Sequence, residues 1–390
     1  WLGERRRVVT AFLGGCGLAS LEAIAQALMG ALPRPDGNLG QPNLLAGLLA
    51  MALPLALGRA LGQQDEEEPG AYTPADWRWL ALAALMAAGL AASTSRSGWL
   101  AALAGLTVLA IRLASPRLRV SALIGAVLLM GLAALLLGFS PLRQLNQDTG
   151  SARVGVWQDS VRMVAARPLF GWGEDTMGLV YGRYQSRDWE PGDSFDRAHL
   201  LPLDLAAAQG LFGLAANAWL FVTWWTGVSR RRHLAAFAGA AAAYLAWALL
   251  NFDWVPVTAA FWLLAGSAWP GGEPRPRRGR WRLAVAGAAV GLALALAATA
   301  LVADLSYYRG QPATATAVDP LQPKYRSAAG GLENLRAAAA LNDPQPETEV
   351  ALGDAEAAAA HPDRARAAYE RALQLYPYYG EARRRLGLKG

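Results

Sequence analysis

Apolar residues along this chain come in long unbroken blocks rather than in the narrow stripes of soluble amphipathic helices. The blocks cover roughly 8–30, 43–61, 77–93, 97–114, 120–139, 203–228, 234–250, 254–269 and 283–303. Each is near the length a helix needs to cross a bilayer core of about 30 Å. A backbone with no water to bond must satisfy its own polar groups there, and a helix does so. The pattern predicts an all-α polytopic membrane bundle of nine spans. Asn251-Phe252-Asp253-Trp254 forms a tight turn between the seventh and eighth. Two polar stretches interrupt the series, 140–202 and everything after 303.

Composition and charge sharpen this picture. Of 390 residues, 54% are hydrophobic and 17% charged, too apolar for an ordinary soluble domain of this size. The net charge is +6, but the arginines sit in short clusters between apolar blocks, which argues for topology and against nucleic acid. Arg5-Arg6-Arg7 precede the first span. Arg112, Arg117 and Arg119 flank the fourth-to-fifth connection, and Arg230-Arg231-Arg232 follow the sixth span. Arg275, Arg277, Arg278, Arg280 and Arg282 fill the eighth-to-ninth connection. With a cytoplasmic start all four clusters face the cytoplasm, as the positive-inside rule requires. The short opposite loops hold only Arg34 and Arg96. The loop 140–202 and the tail 304–390 then lie outside. Trp77, Trp79, Trp99, Trp254, Trp269 and Trp281 stand at block ends, where amphipathic rings favour the membrane interface. The single cysteine, Cys16, forms no internal disulfide and no cysteine-based metal site.

The tail carries a 34-residue period. Leu352-Gly353, Ala365, Tyr369, Ala372 and Pro377 match the tetratricopeptide pattern, and Leu386-Gly387 recur 34 residues after the first pair. A degenerate earlier unit is expected to end at Asn342-Asp343-Pro344. The chain starts at Trp1 and stops as a repeat begins, and it reads as a piece of a longer protein.

The outer loop opens on a helical pattern over 150–164, with Val154, Trp157, Val161 and Val164 on one face and Arg153, Asp159 and Arg162 elsewhere, suited to lying along a membrane surface. Arg167 to Gly173 read as a helix end and a turn. Of the three histidines, His233 sits in an arginine cluster and His361 in a repeat turn. His199 closes the outer loop, and its place near arginines at the membrane surface makes it a candidate base. Glu22 and Gln26, in the outer half of the first span, are costly in lipid and are expected to face a cavity.

Four stretches in order resemble the superfamily of O-antigen ligases, O-antigen polymerases and protein O-oligosaccharyltransferases. They are Gly37 to Gly47 with its Gln41-Pro42-Asn43; Ser93-Thr94-Ser95-Arg96-Ser97-Gly98-Trp99; Arg153-x-x-x-Trp157 through Pro168-Leu169-Phe170-Gly171-Trp172-Gly173; and Ala198-His199 followed by Gln209-Gly210-Leu211-Phe212-Gly213. Leu200 stands where relatives often carry Asn, and Arg167 where they often carry His. Relatives typically have about twelve spans, so the resemblance implies that about four spans precede this chain.

The resemblance implies transfer of a glycan from a polyprenyl-diphosphate carrier to an acceptor hydroxyl outside the bacterial inner membrane. It implies His199 as the base and Arg153 and Arg96 as the clamp on the diphosphate, with Arg34, Arg162 and Arg167 as further donor contacts. Guanidiniums suit that task because they pair with phosphate oxygens in a planar fork. From spacing alone Arg96 reads as an interfacial anchor and Arg153 as part of a solvated helix face; the ordered motifs turn both toward function. No metal ligand set and no cofactor are expected. The implied partners are the lipid-linked donor, a lipid-core, glycan or protein acceptor, membrane lipid, and a protein bound through the repeats. Four parts follow: spans 1–139, a catalytic loop 140–202, spans 203–303, and repeats 304–390. Two other classes remain open at this point, a lipid-linked glycan transporter and a noncatalytic membrane anchor that presents the repeats.

Overall fold

The structure is a computed structural model that describes residues 2–62, 76–114, 151–187, 195–252, 254–269 and 280–388. Its helices in chain order are α1 (Leu2–Leu28), α2 (Pro42–Ala60), α3 (Trp77–Ala92), α4 (Arg96–Leu113), α5 (Ser151–Ala166), α6 (Met177–Val180), α7 (Leu201–Ser229), α8 (Ala235–Ala248), α9 (Val255–Ser267) and α10 (Arg280–Tyr308). The tail adds α11 (Pro312–Val318), α12 (Pro323–Ala329), α13 (Leu332–Ala340), α14 (Pro346–Ala358), α15 (Pro362–Leu375) and α16 (Gly380–Arg385). No strand occurs among the described residues. The chain divides into two compact units. One comprises 1–157, 167–171 and 197–271, the other 158–166, 172–196 and 272–390.

In the first unit α2 is the central helix, buried along nearly its whole length. Its start follows from Pro42, whose missing N–H is harmless in a first turn. α1, α3, α4 and α8 surround it. Small residues let the backbones approach: a Cβ on Gly105 would stand 2.7 Å from the Gly239 carbonyl oxygen, so only glycine fits where α4 meets α8. α3 is capped by Asp76, which accepts from the Arg78 N–H, and α4 by Ser95, which accepts from the Gly98 N–H.

Five helices are long and apolar enough to cross a membrane: Arg5–Leu28, Pro42–Ala60, Arg96–Leu113, Leu201–Ser229 and Gly287–Tyr308. α3, α8 and α9 coincide with three further expected spans but run only 16, 14 and 13 residues. At about 1.5 Å per residue α9 reaches roughly 20 Å. The expected fifth span, 120–139, lies outside the described residues. The expected span 203–228 falls within Leu201–Ser229, with one irregularity inside it. Gly210 has φ 69 and ψ −174, which breaks α7 into two helices on different courses.

The helices run so that two ends of this unit differ. At one end lie the arginine clusters. Arg112 donates to the carbonyls of Ser229 and Arg231, Arg232 to that of Leu113, Arg5 to that of Ser267 and Arg59 to that of Arg6. These are mostly C-terminal carbonyls of helices, which lack intrahelical donors and favour a cation. Arg5, Arg112 and Arg232 thus meet C-terminal helix ends. The other end gathers the N-termini of α2, α4 and α7.

The second unit joins part of the expected outer loop to the tail. Tyr378 donates its hydroxyl proton to the Ser186 carbonyl at 2.8 Å, and Gly182 sits against Leu375 and Tyr376. Loop residues 181–186 and the end of α15 therefore lie on the same side of any membrane. The tail is a series of short antiparallel helices. α14 and α15 pair with the Tyr369 ring against Gly353, and Leu335, Leu352 and Ala368 make a shared core with α13. Leu352-Gly353 lie inside α14, but Leu386-Gly387 follow the end of α16, where Gly387 takes φ 69 and stops the helix.

α5 forms as expected, with one face packed inside the protein and the other exposed. Val154 and Val161 are 51% and 54% exposed, whereas Val156, Asp159, Ser160 and Met163 are buried. Asp159 tolerates burial because its carboxylate accepts from the Tyr181 hydroxyl at 3.1 Å, the Ser186 N–H at 3.2 Å and Arg162 at 3.2 Å. Burial, and next the Asp159 charge, push the Tyr181 hydroxyl well above its ordinary pKa, so it stays a proton donor. A satisfied carboxylate thus stands on the packed face of α5, where periodicity gives no sign of it.

Candidate active site

The end of the first unit opposite the arginine clusters is built around the C-terminus of α8 and the turn after it, residues 247–252. α8 stops at Ala248, and Asn251 donates its side-chain amide to the Trp247 carbonyl at 2.9 Å, closing the helix end. Each of the four stretches noted in the sequence reaches this end.

Gly37 to Gly47 arrives through Asn43. The Trp247 indole N–H donates to the Asn43 backbone carbonyl at 2.8 Å. The Asn43 side-chain oxygen accepts from Ser95 Oγ at 2.7 Å and from Arg34 Nη2 at 3.4 Å. Arg34 Nε donates to Thr94 Oγ1 at 3.2 Å. Arg34, Asn43 and the Ser93-to-Trp99 stretch thus form one polar cluster. Arg96 opens α4 beside the capping Ser95, half-buried.

Arg153 and Trp157 lie one turn apart on α5 and so share a face. Arg153 Nη1 donates to the Leu250 carbonyl at 3.1 Å. Trp157 Nε1 donates to the Ala198 carbonyl at 2.8 Å, and the Ala198 N–H donates to Asp204 Oδ1 at 2.7 Å. Residue 198 is therefore pinned through both its backbone groups, immediately before His199. Asp204 stands in the first turn of α7, where a carboxylate complements the helix dipole. His199 itself adopts φ 56, a left-handed conformation that costs free energy in any residue with a side chain. Its ring meets Phe252 edge-on, with centroids 4.8 Å apart. Arg153 and His199 are thus held at the two ends of the three-residue segment 250–252.

The Pro168-to-Gly171 and Gln209-to-Gly213 stretches clasp each other. Where α7 breaks at Gly210, the Leu211 N–H donates to the Pro168 carbonyl at 2.7 Å and the Phe212 N–H to the Leu169 carbonyl at 3.3 Å. The break leaves N–H groups without helical acceptors, and the 168–169 backbone supplies them. Both glycines are required. Gly210 lies in a region of φ and ψ closed to residues with a Cβ, and that atom would fall 2.3 Å from Leu169 backbone. Gly171, at φ 68, would set a Cβ 2.5 Å from Ala208 backbone. The Phe170 and Phe212 rings pack across the clasp at 5.6 Å.

Among the other expected residues, Arg162 bonds Asp159 within the second unit and is 56% exposed. Arg167 is exposed after α5, and its carbonyl accepts from the Gly171 N–H at 3.1 Å. Gln26 is buried and bonded to the turn before α2. Its side-chain oxygen accepts from the N–H groups of Asp36 and Gly37 at 3.0 and 3.1 Å, tying the turn before α2 to α1. Sequence reasoning passed over Trp247, Asn251 and Phe252, since a Trp in an apolar block and a short turn carry no chemical signal alone. An apolar cavity of about 250 Å³ lies among α7, α8 and α9, lined by Leu205, Leu214, Phe221, Tyr244, Leu245 and Trp262 among others.

No curated protein matches the chain. Residues 81–218 match the family model described as O-Antigen ligase, a segment that contains Arg96, Arg153, the 168–171 turn, His199 and the Gly210 break. The match supports the O-antigen ligase superfamily for the domain at residues 81–218.

Proposed function

We propose that this protein transfers a glycan from a polyprenyl-diphosphate carrier to an acceptor hydroxyl at the outer face of the bacterial inner membrane. The observation that carries the reading is the placement of Arg153 and His199 on the segment 250–252, held by Leu250 and Phe252. Arg153 and Arg96 bind the diphosphate, with Arg34 as a further contact. His199 takes the proton from the acceptor hydroxyl. The acceptor oxygen attacks the anomeric carbon as the bond from that carbon to the phosphate oxygen breaks. The electron pair leaves with the diphosphate, and attack from the far side inverts the centre. Fixed guanidinium charge stabilises the growing negative charge on the leaving group. The cavity among α7, α8 and α9 offers apolar walls to isoprenoid chain. The acceptor is a lipid core, a growing glycan or a protein, and no metal enters the scheme.

The outer location rests on the arginine clusters at the opposite end of the unit. We read the tail as tetratricopeptide-like, on its 34-residue recurrence and its helical pairs, and place it outside with the loop it packs against.

The test is transfer of a polyprenyl-diphosphate-linked glycan by purified protein in detergent with chelator present. His199→Ala is expected to lower kcat by about 10²–10⁴-fold, the usual worth of a general base, with the folded yield unchanged. Transfer at the wild-type rate by that variant would remove His199 from the mechanism, and loss of transfer on adding chelator alone would overturn the metal-free scheme.

A further inference from the structure

Asn43 has one half of its side chain committed and the other half uncommitted. Pro42 opens α2, and Asn43 follows it in the first turn. The Asn43 backbone is fixed, because its carbonyl accepts the Trp247 indole N–H at 2.8 Å. Its side-chain oxygen accepts from Ser95 Oγ at 2.7 Å and from Arg34 Nη2 at 3.4 Å. These bonds set the orientation of the amide. A guanidinium only donates, so the group facing Arg34 is the oxygen. The Ser95 proton goes to that oxygen too, which leaves the Ser95 lone pairs to cap α4 at the Gly98 N–H. The amide nitrogen occupies the other branch of the side chain. Among the described residues Nδ2 makes no hydrogen bond, and Asn43 is half-buried rather than enclosed. Two N–H donors are thus held on a braced side chain bonded to Arg34. An aspartate would brace Arg34 and Ser95 more strongly, since charge-assisted bonds are the stronger ones. Asparagine braces both without adding negative charge, and it alone brings the two donors.

We propose that Asn43 is a further binding residue for the donor's diphosphate, with Nδ2 donating to a phosphate oxygen beside Arg34. The assignment rests on the reading of this end as the diphosphate site. An ionised phosphate oxygen accepts N–H bonds and has no proton to give, which suits an amide nitrogen and excludes a carboxylate in its place. The phosphodiester of a phospholipid offers the same kind of oxygen with less charge, and the experiment separates the two.

The experiment is titration calorimetry on the whole chain in nonionic detergent, with geranyl diphosphate and dihexanoyl phosphatidylglycerol as probes. Wild type is expected to bind the diphosphate more tightly. Asn43→Asp keeps an acceptor for Ser95 and Arg34, so its thermal midpoint should hold, but it turns a donor into a negative charge facing the ligand. Near neutral pH it should weaken diphosphate binding by about tenfold or more, the worth of a hydrogen bond to a charged group. The deficit relative to wild type should shrink as the pH falls toward about 4, where a carboxylate gains its proton. An aspartate also pairs with Arg34, so the comparison is repeated in Arg34→Gln. Asn43→Asp is expected to cost about tenfold there too. An effect seen only with Arg34 present would make Asn43 a brace and overturn the assignment. Asn43→Ser, which keeps a hydroxyl and loses the amide, stands in if Asn43→Asp does not fold, and should also weaken binding. Unchanged affinity in the variant, no diphosphate binding by wild type, or equal binding of the phospholipid would each overturn the proposal. Because the readout is binding, affinity lost in Asn43→Asp supports the assignment even where wild type transfers no glycan.

Discussion

The two ends of the membrane unit use the same side chain for different work. At the arginine-cluster end, Arg5, Arg112 and Arg232 donate to backbone carbonyls near the C-termini of α9, α7 and α4, a pairing that any helix end welcomes. At the other end Arg34 and Arg153 are surrounded by groups of specific kind: Asn43, Thr94, Ser95, Trp247 and the His199–Phe252 pair. Within this unit's described residues every non-glycine residue with positive φ, namely Asn38, Thr94 and His199, lies at that second end. Strained backbone persists only where surrounding contacts over-determine it. The first end needs charge; the second needs charge at fixed positions.

That contrast can be broken by substitution. The largest effect is expected from Gly210→Ala, which puts a Cβ into Leu169 backbone and into a closed region of φ and ψ. A loss of about 3 kcal/mol or more in stability should appear as a lower midpoint of thermal aggregation in detergent. An unchanged midpoint would mean that the clasp between 168–169 and 211–212 is not rigid. Next comes Arg153→Lys, which keeps the charge and loses the planar fork. It should cost about tenfold in transfer, or about 1.4 kcal/mol, and a lysine enzyme at full rate would reduce Arg153 to a point charge. The smallest effect is expected of Arg112→Lys, at the cluster end. A shift within about 0.5 kcal/mol and unchanged transfer would fit charge serving topology alone, whereas a loss matching that of Arg153→Lys would erase the distinction between the ends.

Much of this was legible in the order of residues. Blocks of apolar residues can satisfy their backbone in lipid only as helices, so the all-α bundle and most element positions follow from hydropathy. Arginine clusters between blocks indicate which helix ends lie together, because their placement answers a field imposed by the membrane rather than by particular neighbours. The ordered stretches from Gly37 to Gly213 led to Arg34, Arg96, Arg153 and His199 as one group, and to the superfamily.

Other features depended on residues distant in the chain. Hydropathy treats 203–228 as one span, because Gly210 has no signature distinct from the glycines that allow close packing. Only the 168–171 backbone, about forty residues earlier, supplies the acceptors that make a break there stable. Periodicity set Val154 and Val161 on a face suited to the membrane surface, and it gave no sign that Asp159 would be buried, where Tyr181 and Ser186 satisfy its carboxylate. Trp247 and Phe252 entered the site through contacts with Asn43 and His199, which lie 204 and 53 positions earlier. The amino-acid order determines which segments are helical and which ends carry charge, since those answer to solvent and to near neighbours. The tertiary structure decides where a helix breaks and which polar groups share a site, since those require partners that no local stretch contains.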